Sequence, residues 1–279
     1  GDTWAYDGLS SGAKYGTFLL SDAGIARLER GSGKEHTQVY LTFTPNYGHN
    51  HLDPLNLVLF AEDQELLPDL GYTHTHYRAW AVSTLGHNTV TVNSSDMSAS
   101  GALDGGDIQA FLPINDGLQI LQARQERGYS GVDEYSRQVW LIGISPKESY
   151  MVDIFHVSGG WRHEYTLQGD ANNASSFETP LGMKEYGKYL LPPGTEVIEP
   201  KAESEKGSAG GHYYAYAFIR DVKSAQISDG KYELTLVTKE GNKARMKITG
   251  FVEPGDNTLF IGKAPSMKST RLMRKDLSS

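Results

Sequence analysis

The sequence predicts an all-β protein built as a large antiparallel β-sandwich, or supersandwich, with glycine- and proline-rich loops. Composition carries part of this prediction, because 31 of the 279 residues are glycine and the 16 tyrosines outnumber the 9 phenylalanines and 4 tryptophans. This mixture of turn formers and strand-favouring aromatics is typical of β-structure. The spacing of strand-like segments carries the rest, since they recur at short intervals with no long amphipathic helix between them.

Each predicted strand is an alternating or short apolar run that Gly, Asn, Asp or Pro closes. TQVYLTFT (37–44) and KYELTLVT (231–238) alternate apolar with polar residues, whereas LNLVLFA (55–61) is mostly apolar. The predicted strands are residues 14–21, 37–44, 55–61, 87–93, 117–124, 136–143, 149–157, 212–222, 231–238, 243–250 and 257–263.

Residues 1–279 are predicted to form a single β-sandwich domain. The compositional break is PPGTEVIEPKAESEKGSAGG (192–211), which is polar and poor in aromatics, as in a long exposed loop or a subdomain boundary. We favour the loop, because the strands that follow are too few for an independent core.

Composition and charge exclude several classes of function. The chain has no cysteine, which excludes disulfides and thiolate metal sites. Its formal net charge of −8 argues against general nucleic-acid binding. No stretch reaches the roughly 18 apolar residues of a membrane span, and no basic segment followed by an apolar one indicates a signal peptide in this chain.

A pair of histidines precedes a mostly apolar predicted strand. In NYGHNHLDPLNLVLF (46–60), His49 and His51 are two residues apart, so on an extended backbone both imidazoles point to the same face. A zinc ion there needs a further ligand from a neighbouring element. Asp69 in ELLPDLGY and His87 in STLGHNTVTV lie at the ends of two further segments. His51, Asp69 and His87 are therefore candidates for a His2Asp set, although such residues also serve as ordinary turn formers and caps.

These motifs carry a family resemblance. GHNHLDPLNLVLFAEDQELLPDLGY (48–72), followed by RAWAVSTLGHNTVTVN (78–93), closely resembles the signature of the heparinase II/III-like domain. That domain is the β-sandwich half of polysaccharide lyases that act on heparin, heparan sulfate, alginate and related uronic-acid polymers. A looser match continues through YSRQVW (135–140), YMVDIFHVSGGWRHEY (150–165) and LQGD (167–170).

The resemblance implies a role for each candidate residue. It places the zinc ligands on His51, Asp69 and His87, with one mainly structural Zn²⁺, and the active-site histidine on His49. Asp53 is then a turn former or an acceptor behind the ligands. The segment GYTHTHYRAW adds further substrate-contact candidates, namely Arg78, Tyr77 and His76, with Tyr72 and His74 in the same loop.

The segment WRHEY (161–165) supplies two further candidates. Trp161 and His163 are candidates for stacking against a sugar, but we expect Trp161 to belong to the sandwich core. Gln168 stands where many family members carry a histidine, so no role is assigned to it.

The resemblance also implies partners and a location. The lyases cleave an acidic polysaccharide by β-elimination, using an N-terminal α/α-toroid domain that is expected to be absent from this chain. We therefore expect the chain to carry half of an active site, and to lie in the periplasm or outside a bacterial cell.

Two alternatives remain open. A non-catalytic carbohydrate-binding or scaffold module would keep the metal for stability, and the acidic net charge favours it because a heparin-binding surface should be locally basic. A cupin-like metalloenzyme would begin with a similar Gly-x-His-x-His pattern, but residues 54–58 (PLNLV) lack the glutamate that such a site needs.

Overall fold

β-Strands make up most of the regular structure. A computed structural model describes residues 16–45, 50–71, 77–169, 173–195 and 211–265, with the backbone alone for 211–214. The strands are β1 Phe18–Leu20, β2 Ile25–Arg30, β3 Thr37–Thr42, β4 Asn56–Ala61, β5 Gln64–Leu67, β6 Val90–Val92, β7 Asp107–Asn115, β8 Leu118–Arg124, β9 Val132–Gly143, β10 Ser149–Gly159, β11 His163–Tyr165, β12 Ser175–Glu178, β13 Lys184–Tyr189, β14 Arg220–Ile227, β15 Lys231–Thr238, β16 Arg245–Phe251 and β17 Asn257–Lys263. The α-helices are α1 Arg78–Val82 and α2 Ala99–Leu103, and 3-10 helices occupy Gly33–Glu35, Thr84–Gly86 and Gly211–Phe218.

Two antiparallel sheets form the main sandwich. The first has the strand order β1-β2-β3-β4-β5 and the second the order β10-β9-β8-β7. The inward residues of β2, β3 and β4 belong to the same buried cluster as those of β8 and β9, including Leu28, Leu41, Leu57, Leu121 and Val139. Because alternate side chains of a strand face the same side, the period-two pattern of the sequence places these residues in one core. The predicted all-β sandwich class is confirmed.

Three smaller sheets complete the described part of the chain. β6 pairs with β11, and the other two sheets have the orders β12-β15-β16 and β13-β14-β17. The predicted strands 231–238 and 257–263 coincide with β15 and β17. No helix among the described residues is long and apolar enough to cross a membrane.

The predicted strand at 212–222 is wrong over most of its length. A 3-10 helix runs from Gly211 to Phe218, and a strand begins only at Arg220. Residues 215–218 are all buried, whereas a strand with one exposed face would bury alternate residues. The helix packs against α1 in a second buried cluster that contains Trp80, Leu85 and Phe218.

The expectation that Trp161 belongs to the core is also wrong, since its side chain is 70% exposed. Two glycines with positive φ, Gly159 (98°) and Gly160 (79°), precede it where the register between β9 and β10 shifts. The chain turns there and leaves Trp161 outside the sandwich, just before β11. The predicted loop at 192–211 lies largely in residues 196–210, which are outside the described residues.

A fully buried arginine ties the sandwich to the segments that precede β4 and β6. The Arg137 guanidinium, on β9, donates from Nε and Nη2 to the two carboxylate oxygens of Asp153 on β10, at 2.8 and 2.6 Å. Its Nη1 donates to the carbonyl oxygens of Leu55 (2.8 Å) and Asn88 (2.5 Å). Leu55 has φ of +66°, a left-handed conformation that few non-glycine residues adopt without local support.

Replacing Arg137 with Met should therefore destabilise the chain by about 3–5 kcal/mol, because it leaves a buried carboxylate and two carbonyls without their donor. Urea denaturation of the metal-free protein measures this loss. The matched control is Arg245→Met, which breaks an ion pair with Glu178 whose side chains are 59% and 56% exposed and should cost less than about 1 kcal/mol. Equal denaturation midpoints for the two variants would contradict the structural role of Arg137.

Candidate functional site

His87 is fixed in one orientation and one tautomer. It is fully buried and follows the 3-10 helix Thr84–Gly86. Its Nδ1 lies 2.7 Å from the carbonyl oxygen of Ser83, which can only accept, so Nδ1 carries the proton. The Nε2 lone pair of the neutral ring therefore points away from the backbone, as in histidines that bind a metal.

His51 faces that lone pair from the segment before β4. Its Nδ1 lies 3.1 Å from Nε2 of His87, and the ring centroids are 5.2 Å apart. The Leu52 N–H donates to the Val82 carbonyl oxygen (2.9 Å), which fixes this segment to α1. Burial lowers the pKa of His51, and the neighbouring His87 lowers it further. A lowered pKa favours the neutral imidazole, which is the form that binds a metal.

Asp69 supplies an oxygen to the same space. Its Oδ2 lies 3.7 Å from Nε2 of His87 and accepts a hydrogen bond from the Asn56 side chain at 2.9 Å. Its Oδ1 accepts from the backbone N–H of Gly71 at 2.6 Å. Asp69 therefore reaches the site from the end of β5 with both oxygens oriented by donors.

The three side chains form a set that fits a zinc ion. Single ligand atoms of His51, Asp69 and His87 all lie within 4.8 Å of one another. Two atoms bound to one tetrahedral zinc at about 2.0–2.1 Å lie about 3.3 Å apart. The distances of 3.1 and 3.7 Å fall on either side of that value. Two nitrogens and a carboxylate leave a fourth position, as zinc sites with three protein ligands do.

Two asparagines hold the three segments in register. Asn56 donates to Asp69, and its Oδ1 accepts from the backbone N–H of Asn88 at 3.0 Å. The Asn88 side chain donates to the carbonyl oxygens of Leu57 and Pro68, both at 2.9 Å. Asn56 and Asn88 are both fully buried, so their hydrogen bonds to backbone groups act at low dielectric.

The sequence motifs did not predict Asn56, Asn88 or Arg137 as site residues. Each was nevertheless visible as a polar residue inside an apolar predicted strand or next to one, in LNLVLFA, HNTVTVN and SRQVWLIG. A buried polar side chain needs hydrogen-bond partners, so such positions indicate structural networks. The hydrogen-bond partners of these residues could not be predicted, because most of them are far away in the sequence.

The predicted substrate-contact residues have different outcomes. His49 and His76 lie outside the described residues, as do Tyr72 and His74. Arg78 is the first residue of α1, half-buried, and close enough to His51 to act on its pKa. Tyr77 is also half-buried, and its ring lies 6.1 Å from that of Phe218.

Asp53 lies beside the centre but outside the converging set. Its carbonyl oxygen accepts from the Asn56 N–H at 2.9 Å, in the turn that leads into β4. Burial raises the pKa of its carboxyl group, and the nearby histidines act in the opposite direction. The turn-forming role predicted for Asp53 agrees with this geometry. Gln168 is structural here, since its backbone N–H donates to Asn88 and its side chain to the Leu85 carbonyl.

Comparison with known proteins identifies the family. The model of the family described as heparinase II/III-like, C-terminal, matches residues 13–218, well over half of the chain. The chain belongs to this family. The match covers all the residues of the converging set and Arg137.

Comparison also finds individual proteins that are similar to this chain. The chain is 28% identical over 267 aligned positions to the exo-oligoalginate lyase of Saccharophagus degradans, covering 78% of this chain and 34% of that protein. Among solved structures, it is similar to the heparan sulfate lyase HepC from Pedobacter heparinus (17% identity, TM-score 0.46, 88% of this chain and 44% of that one). It is also similar to heparinase III (12% identity, TM-score 0.43, 85% and 42%). The chain thus spans about a third of the curated relative and less than half of these structures.

Removing a predicted ligand should abolish stoichiometric zinc binding. His51→Ala and Asp69→Asn each leave two donors, which should lower the zinc content of protein purified without chelator from about one ion per chain to well below that. Elemental analysis by mass spectrometry measures the content. His156→Ala is the control, because His156 is an exposed histidine on β10. Unchanged zinc in both ligand variants would exclude this site.

Proposed function

We propose that the chain is the β-sandwich part of a polysaccharide lyase that cleaves uronic-acid polymers by β-elimination. The observation that carries the proposal is the convergence of His51, Asp69 and His87 within a chain of the heparinase II/III-like family. The exo-oligoalginate lyase relative supports oligomeric alginate as the first substrate class to test.

β-Elimination makes defined demands on side chains. A base removes the proton from C5 of the uronate, an acid protonates the departing O4, and a donor neutralises the carboxylate so that the C5 proton becomes acidic. His49, two residues before His51, is the proposed group that faces substrate, as proton acceptor or as hydrogen-bond donor to the carboxylate. Arg78 is proposed to bind the carboxylate through its planar guanidinium, with Tyr77 and His76 beside it.

The metal centre is proposed to have a supporting role. Zinc, when bound to His51, Asp69 and His87, would supply a fixed positive charge that joins the segments before β4, after β5 and before β6. Ser83 and Asn56 orient the ligands His87 and Asp69 through hydrogen bonds. The proposed contribution of this chain to catalysis is the side chain of His49, two residues before the ligand His51.

We further propose that catalysis requires a helical domain in the same polypeptide and that the protein acts in the periplasm or outside the cell. The coverage of the relative supports a larger enzyme, since the match spans 34% of it. The alternative is a non-catalytic carbohydrate-binding or scaffold module, which the net charge of −8 favours.

Turnover of oligoalginate, followed by the ultraviolet absorbance of the unsaturated product, tests the proposal. In a polypeptide that carries both the helical domain and this chain, His49→Ala should lower kcat on the order of 10²- to 10⁴-fold while the zinc content is retained. Ile114→Ala, which removes an exposed side chain (58%) on β7, should have wild-type kinetics.

One result would contradict the role of His49, and another would favour the alternative function. Full activity of the His49→Ala variant would contradict the assigned role of His49. Binding of oligoalginate without any turnover in the two-domain polypeptide would favour the non-catalytic module.

A further inference from the structure

Three exposed rings lie on β11 and just before it. Trp161, His163 and Tyr165 are exposed, while Arg162 and Glu164 between them are half-buried. His163 and Tyr165 are alternate residues of β11, so they lie on one face of that strand about 6.6 Å apart, and Trp161 lies two residues before His163. We call these three residues the aromatic strip.

The outer end of the strip is held rigidly although its side chain is exposed. Asn93 accepts hydrogen bonds through Oδ1 from the backbone N–H groups of Trp161 (2.7 Å) and Arg162 (3.4 Å), and its own N–H donates to the Arg162 carbonyl (2.8 Å). A Cβ atom at Gly160 would lie 2.6 Å from Val92, so this position needs glycine. The turn therefore presents Trp161 at 70% exposure on a fixed backbone.

A rigid, exposed tryptophan has little value for the stability of the fold, because it forfeits most of its burial free energy. Neighbouring exposed aromatic side chains, as in this strip, are typical of binding surfaces. The flat indole face suits the C–H face of a sugar ring, and it loses little conformational entropy on binding.

A cationic residue, Arg162, follows Trp161 in the chain. Arg162 pairs with Glu164 at 2.8 Å, and its side chain remains 38% exposed. Glu164 also accepts hydrogen bonds from the hydroxyl groups of Thr91 and Ser94, so its carboxylate has partners besides Arg162. Arg162 and Trp161 line the same depression, so a sugar bound there would have a partly exposed guanidinium within that depression.

At its other end, the strip is connected to the metal centre by hydrogen bonds. The Tyr165 hydroxyl donates to Asp153 and accepts from Arg137. The hydroxyl of the next residue, Thr166, donates to the carbonyl oxygen of His87 at 2.7 Å. Trp161, His163, Tyr165, Thr166 and Gln168 all line the same depression.

We propose that the aromatic strip is a subsite for an acidic oligosaccharide, in which Trp161 stacks against a uronate several sugar units from the bond that is cleaved. The substrate class rests on the proposed function, but the subsite itself is testable by binding alone. Its occupant is a hexuronate chain that follows β11 from Trp161 towards His87.

Titration of the chain with alginate oligomers of defined length tests the subsite without any turnover. The wild-type protein should change its tryptophan fluorescence on binding a hexasaccharide, because Trp161 is far more exposed than Trp80. Trp161→Phe should lose the fluorescence change and keep most of the affinity. Trp161→Ala should weaken hexasaccharide binding about tenfold and disaccharide binding much less.

The matched control is Ile114→Ala, which removes another exposed apolar side chain (58%) on β7, outside the depression. It should bind the hexasaccharide as the wild type does. Hexasaccharide affinity that Trp161→Ala leaves unchanged, or the absence of binding by the wild-type chain, would overturn the subsite. Failure of the lyase proposal appears instead as lost turnover or missing zinc, so the two outcomes are distinguishable.

Discussion

The buried guanidinium of Arg137 is the contact on which the rest of the site depends. It joins β9 to Asp153 on β10 and, at the same time, holds the carbonyl oxygens of Leu55 and Asn88. A buried ion pair adds little net stability compared with apolar residues of the same size. Arg137 instead favours one arrangement of the fold, because it fixes the positions of the segments before β4 and β6 relative to β9.

The metal-ligand set follows from that constraint. Asn88 is held by Arg137 and adjoins His87, whereas Leu55 lies four residues after His51, so one side chain sets the separation of two of the three donors. Asn56 then links Asp69, the third donor, to Asn88 through hydrogen bonds. The donors therefore converge through protein contacts alone, which is the pre-organisation that tight metal binding requires.

Local sequence patterns predicted the strands and candidate ligands whose placement depends on neighbouring residues. They failed for features that depend on contacts with residues far away in the sequence. β15 and β17 follow from alternation and turn residues, and the candidate ligands from short motifs. β2, IARLER, was missed because its charged residues obscure the alternation, and the structure satisfies Arg27 through Glu29 and the Gly16 carbonyl. The partners of Arg137 lie up to 82 residues away, and Phe218 is buried by α1, so neither could be read from adjacent residues.

X-ray absorption at the zinc edge of the protein purified without chelator measures the ligands of the metal. We expect about one zinc per chain with two imidazole nitrogens and a carboxylate oxygen at about 2.0–2.2 Å. We also expect that Arg137→Met broadens or empties this shell although no ligand is changed. A shell of oxygens without imidazole scattering, or a wild-type spectrum in the Arg137 variant, would contradict these expectations.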